Sequence, residues 1–192
     1  MLVVWRGQYG SSAEDSVEEA GMNPWASIWV RPRQTIRHIV NTTPQRWVIV
    51  IAVGAGISTL MQESLVIIMG LEGVPPMAAV SVAAAAGALL GIVWLFLFGA
   101  LYRWVGSWFG GRATTVNVRA AIAWAEVPKL ALLVLWLLML PLLAEGATAG
   151  ESEPDAAGVG IAVILLSMTA VIKLWSTVIA SHTLGEVHGF PP

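Results

Sequence analysis

The chain has 192 residues, 57% of them hydrophobic and 11% charged, with 10 Lys and Arg against 12 Asp and Glu for a formal net charge of -2. Soluble domains are roughly a quarter charged, so these residues cannot wet a globular surface, and a soluble single domain fits the length but not the hydropathy. There is no Cys, which excludes thiolate catalysis, thiolate metal sites and disulfides.

Met1 to Trp5 is too short for the apolar core of a signal peptide and runs into an acidic stretch, so no cleavage is expected. Residues 1–22, rich in Gly, Ser, Ala, Glu and Asp, read as a disordered tail. Asn23-Pro24 is a helix start, an N-cap followed by proline at the first helical position. Over residues 23–45, Trp25, Ile28, Trp29, Ile36, Ile39 and Val40 supply apolar side chains and Arg31, Arg33, Arg37 and His38 basic ones, with Pro32 dividing the segment. Neither piece approaches the ~20 residues of a span. A basic, Trp-bearing amphipathic segment of this kind is expected to lie in the headgroup plane, and the alternative is an ordinary soluble helix packed on a loop.

Residues 46–182 carry the membrane bundle. Thr43-Pro44 repeats the start signal, and a first span is expected at about 47–69, interrupted late by Gln62, Glu63 and Ser64. Gly70 to Pro76 turns the chain. A second span at about 77–101 carries Ala83, Gly87 and Gly91 at steps of four, a small-residue ridge for close helix approach. It is expected to be the most buried helix. After the Gly110-Gly111 turn, a third span at about 119–144 contains Pro128, which lacks an amide hydrogen and is expected to kink the helix near Trp124. Glu145 to Asp155 is an acidic loop, a fourth span is expected at about 156–179, and residues 183–192 read as a polar tail.

Charge orients these elements. Arg6, Arg31, Arg33, Arg37 and Arg46 precede the first span, and Arg103, Arg112 and Arg119 flank the middle loop. The other two loops contain only acids, Glu72 and then Glu145, Glu151, Glu153 and Asp155. The positive-inside rule then puts the N-terminus, the middle loop and the C-terminus in the cytoplasm. The expected fold is an all-α polytopic membrane bundle of four spans with an N-terminal interfacial amphipathic helix. Dividing the third span at Pro128 gives a five-span alternative with an external C-terminus.

Two blocks resemble the Yip1 domain family, and in particular its bacterial members. One is Asn23-Pro24-Trp25-Ala26-Ser27-Ile28-Trp29-Val30-Arg31-Pro32-Arg33-Gln34-Thr35-Ile36-Arg37; the other is Gly106-Ser107-Trp108-Phe109-Gly110-Gly111-Arg112 followed by Arg119-Ala120-Ala121-Ile122-Ala123-Trp124 and Pro128. With the span pattern, the resemblance covers nearly all of the chain from residue 23. It implies a helical integral membrane protein. The eukaryotic relatives belong to the early secretory pathway and associate with Rab-type GTPases and with one another; the bacterial ones are inner-membrane proteins. The family is usually drawn with five spans, where this sequence reads as four.

Intramembrane charge is the sharpest functional signal. Glu63, Glu126, Lys129 and Lys173 form the candidate polar site, with Glu126 and Lys129 at i,i+3 able to pair. Glu63 and Lys173 lie towards opposite ends of their spans and are not expected to meet. Arg31, Arg33, Arg37, Trp108, Gly110, Gly111, Arg112 and Arg119 form a candidate cytoplasmic interaction face, suited to anionic headgroups of the bilayer or to a protein partner. Gly110-Gly111 lacks phosphate-loop spacing. His182, Glu186 and His188 are too few to suggest a metal, no catalytic motif occurs, and no cofactor is implied. The sparse, membrane-proximal basic residues point away from nucleic acid. The expected function is non-enzymatic organisation of membrane or partner proteins, and a homo-oligomer is compatible with it. The alternative is a small oligomeric transporter or channel using the intramembrane Glu and Lys residues.

Overall fold

A computed structural model describes residues 22–68, 76–148 and 156–191, with side chains for 22–63, 77–139 and 158–191. The expected tail over residues 1–21, the turn between the first two spans and residues 149–155 of the acidic loop lie outside the described residues. Those described are helical: α1 (Pro24–Ser27), α2 (Pro32–Thr42), α3 (Val48–Ile68), α4 (Pro76–Trp108), α5 (Thr115–Ala125), α6 (Val127–Thr148) and α7 (Ala156–His188). Among them, three stretches are long and apolar enough to cross a membrane: Met77–Trp108, Thr115–Met139 and Gly158–His188, with Val48–Glu63 as a shorter apolar helix.

The helix starts follow capping chemistry. Asn23 Oδ1 accepts from the Trp25 amide at 3.1 Å, and Pro24 takes the first helical position. Pro32 likewise takes the first position of α2, though Arg31 before it makes no side-chain cap. Thr114 caps α5, its hydroxyl accepting from the Asn117 amide at 3.2 Å. At Thr43-Pro44 the structure departs from the expected start. Thr43 closes α2 by donating its amide to the Ile39 carbonyl, and residues 44–47 form a turn before α3 begins at Val48.

The α3–α4 pair is held by backbone contact. A Cβ on Gly56 would lie 2.2 Å from the Gly87 carbonyl oxygen, and one on Gly91 would lie 2.2 Å from that of Ala52. Ala83 is buried on the same ridge of α4. The rest of α4 is open: Val82, Leu89, Leu90, Val93, Trp94 and Leu97 are all exposed. The second span is therefore not the most buried helix, because close approach uses one stripe of small residues and leaves the opposite face without a neighbour.

That position belongs to α5, in which Val118 and every residue from Ala120 to Ala125 are buried. Its alanines leave room for α2, α3, α4 and α7, all of which pack against it. The helix stops at Glu126. The Glu126 amide donates to Ala123 at 3.0 Å and the Lys129 amide to Glu126 at 2.9 Å, both i to i+3. The expected kink is thus a complete break into two helices, tightened where the proline cannot donate.

The apolar side of the N-terminal segment is likewise turned to protein. Ile28, Ile36 and Ile39 are buried in the main core cluster with α5 and Ile179 of α7. These side chains thus pack on the helices α5 and α7 and not on a loop. α7 continues to His188, taking up most of the stretch expected as a polar tail.

Gly91→Leu is expected to push α3 and α4 apart and cost about 3 kcal/mol, the upper range for overpacking. A Cβ at Gly160 meets nothing within 4 Å, so Gly160→Ala should be neutral or slightly stabilising. Thermal unfolding of the two variants in detergent checks the contrast.

Candidate functional site

Two long helices end side by side. After Trp108, the Gly111 amide donates to the Gly106 carbonyl at 2.9 Å and the Gly110 amide to Ser107 at 3.1 Å, with Gly110 at φ +80°. This is a Schellman ending, and a glycine relieves the left-handed position. After His188, Phe190 donates to Gly185 at 2.9 Å and Gly189 to Glu186 at 3.0 Å, the same closure. The two ends are joined by the Arg112 amide, which donates to the His188 carbonyl at 3.4 Å.

His188 is the residue that sequence reasoning underrated. Its ring is buried, with Nδ1 2.8 Å from the Leu184 carbonyl oxygen, and it fills the space above Gly106 and Gly111. A Cβ on Gly106 would fall 2.2 Å from His188 Nε2, and one on Gly111 would fall 2.5 Å from Cδ2. The Gly-x-x-x-x-Gly spacing was the available signal, pointing to close approach, though not to the side chain approaching.

α2 joins the same end. Arg37 Nη2 lies 2.7 Å from Glu186 Oε1, and its Nε donates to the same oxygen at 2.7 Å. Arg33 reaches Glu186 Oε2 at 3.8 Å and the carbonyls of Phe190 and Pro191 at 3.5 and 3.4 Å. Two arginines of the candidate face are thus committed to holding the C-terminus. Arg31, Trp108, Gly110 and Arg112 remain exposed and Gly111 is half-buried. Trp104 and Trp108 meet edge to face with centroids 4.4 Å apart. Arg119 stands apart: its stem lies on Gly99 and its guanidinium sits over the Phe96 ring at 4.1 Å.

The candidate polar site is smaller than the sequence suggests. Lys129 Nζ meets Glu126 Oε2 at 2.5 Å, with both side chains about four-fifths buried. Around the break, the Ser58 hydroxyl donates to the Lys129 carbonyl at 2.9 Å and Gln62 Nε2 donates to Ser58 Oγ at 3.0 Å. Ser58 therefore ties α3 to the first turn of α6. Glu63 is exposed and Lys173 half-buried, and among the described residues no ion pair joins either to this cluster. Ser58 and Gln62 were missed because hydroxyls and amides in an apolar helix carry no charge signal. Among the described residues no group of His, Asp and Glu is placed to hold a metal, and Glu186, considered as a ligand, is engaged by the two arginines.

The Gly-Gly turn, the buried α5 and the proline break thus occupy one continuous arrangement. A family model for the Yip1 domain matches residues 26–192. The chain belongs to the Yip1 domain family. No curated relative and no solved structure matches it. With its three long apolar helices, this Yip1 domain is that of an integral membrane protein. α4 and α7 both carry exposed apolar faces, Leu89, Leu90 and Trp94 on one and Ile161, Ile164 and Leu174 on the other.

Lys129→Met removes the ammonium that meets Glu126 Oε2, an oxygen with no other hydrogen-bond donor among the described residues. It should lower stability by about 2–3 kcal/mol, below the full range for breaking a buried pair because some exposure remains. Glu126→Gln/Lys129→Met should recover most of the loss. Thermal unfolding of the single and double variants closes the cycle; purely additive effects would mean the two charges do not stabilise each other.

Proposed function

We propose that this Yip1-domain protein is a non-enzymatic organiser of membrane or partner proteins, working through a cytoplasmic face. One observation carries the reading. The pre-membrane segment, the middle loop and the C-terminal end meet in one layer, tied by Arg33 and Arg37 to Glu186 and by His188 to Gly106 and Gly111. In this reading the layer is a platform whose outward residues are Arg31, Trp108, Gly110 and Arg112. Its arginine content orients it to the cytoplasm of a bacterial inner membrane by the positive-inside rule. The meeting of the ends of α4 and α7 supports four crossings, with α3 as the first span and α5 folded back beneath the platform. It also supports a headgroup-level position for α2 along its charged side, because that helix lies beside the membrane-proximal ends.

The Ser58, Gln62, Glu126 and Lys129 cluster favours a second reading, a small oligomeric transporter or channel. A pathway needs polar groups in succession across the bilayer, and Glu63 and Lys173 do not extend this cluster. The platform reading therefore ranks first. Reconstituted flux lost in Glu126→Gln would reverse that order.

Deleting residues 23–40 is a poor test, because it would remove Ile28, Ile36 and Ile39 from the core. A photo-crosslinking residue at Trp108 should instead give discrete protein adducts in native membranes, reduced about tenfold by Arg112→Glu, the scale of one charge-assisted contact. The same probe at Leu89 should yield lipid adducts alone. Equal protein adducts at both positions would sink the platform. Because the chain has no Cys, single cysteines at Ser107 and Ser181 give topology cleanly. Both should label from the cytoplasmic side, and an external Ser181 would mean an odd number of crossings between them.

A further inference from the structure

Beside the turn over residues 43–47 lies a half-open cavity of about 400 Å³, walled by Trp25, Trp47, Trp124, His38, Thr43 and Arg46 among others. Trp47 sits at φ +66°, and it is the non-glycine residue recorded with positive φ among those described. For a bulky side chain this is a true outlier, tolerated where the surroundings impose it and concentrated at ligand sites. The strain has a visible result: it carries the Trp47 ring to 6.1 Å from Trp25, edge to face, while Trp25 lies 5.0 Å from Trp124 on its other side. Three indoles thus wall one opening without closing it.

Charge selects what enters. No carboxylate lines the cavity. Arg46 lines it with its guanidinium 5.8 Å from the Trp47 ring, and among the described residues no acid pairs with it. The indole Nε1 of Trp124 is buried and has no acceptor among them. A guanidinium beside aromatic faces disfavours a cationic guest and suits an anion that also presents C–H surface. The turn leads into α3, whose N-terminal end adds partial positive charge.

We propose that this cavity is a phosphate-ester site, taking the phosphodiester on Arg46 and the glycerol or alkyl portion against the three tryptophans. The size suits one headgroup, and Trp25 and Trp47 sit in the segment entering the first apolar helix, where a lipid phosphate would lie. The site is separate from the Trp108 and Arg112 platform, so its failure leaves that proposal standing and the reverse.

The full chain in detergent, mixed with phosphatidylglycerol or phosphatidylcholine, is read by native mass spectrometry. One phosphatidylglycerol should be retained in preference, and Arg46→Gln should weaken retention about tenfold, the loss of one charge-assisted contact. Arg103→Gln, exposed and outside the cavity, should leave it unchanged. Trp47→Gly relieves the left-handed strain, so it should keep the unfolding temperature while weakening retention. Calorimetry with sn-glycerol 3-phosphate separates the sources. Binding of the lipid alone assigns a membrane headgroup, and comparable binding of the soluble ester assigns a free phosphate ester. Equal retention of both lipids, or identical retention by wild type and Arg46→Gln, with no Arg46-dependent binding of the soluble ester, overturns the site.

Discussion

From Ala120 to Ala125 every residue of α5 is buried, and the four alanines among its eleven residues let the neighbouring helices come close. The arrangement of the other elements follows from that burial. Trp25 packs on Trp124 at 5.0 Å and so fixes α1. Thr183 of α7 donates to the Ala121 carbonyl at 3.2 Å. Arg119 runs its stem across Gly99 of α4 and ends over Phe96. Larger side chains at Ala120, Ala121 or Ala123 would displace one of these partners, since an interior at close-packed density has no slack to absorb them.

Burial of α5 also explains why the chain breaks at Glu126. A continuous helix through Pro128 would lose a hydrogen bond inside an apolar environment, where an unsatisfied carbonyl costs several kcal/mol. The structure answers with two i to i+3 bonds at the break, and the Ser58 hydroxyl of α3 donates to the Lys129 carbonyl in the first turn of α6. Glu126 and Lys129 then sit at the break as a neutral pair. Ser58, Gln62, Glu126 and Lys129 thus have local partners, which weakens any argument that their depth alone implies transport.

The sequence displayed the long-range architecture more clearly than the local function. Hydropathy and length located the apolar helices, the small-residue steps located Gly87 and Gly91 where α3 and α4 touch, and Asn23, Pro32 and Pro128 marked starts and a break. Each of these signals is local or periodic. What escaped was tertiary. Nothing in Pro32 to Thr42 distinguishes an apolar face turned to lipid from one turned to Ile179 and α5. Nothing in the last ten residues says that His188 will occupy the hollow left by Gly106 and Gly111. Trp47 reads as an ordinary interfacial tryptophan, because a backbone angle leaves no trace in composition. Of the intramembrane charges, Glu126 and Lys129 could be paired from their spacing, whereas Glu63 and Lys173 needed coordinates to be set apart.

The basic residues illustrate the difference between charge as address and charge as contact. Counted along the chain, the arginines before the first span and around the middle loop make one class, and the positive-inside rule uses them as such. In three dimensions they divide. Arg33 and Arg37 are occupied by Glu186, which makes them ties between the two ends of the chain. Arg119 is set on an aromatic ring beside a helix. Arg112 remains exposed at the Gly-Gly turn, and Arg46 stands by the tryptophan-walled cavity. An arginine already paired offers little to a new anion, because the gain must exceed the loss of its present partner. Both proposed recognition surfaces therefore fall where the chain has left cations beside open aromatic surface.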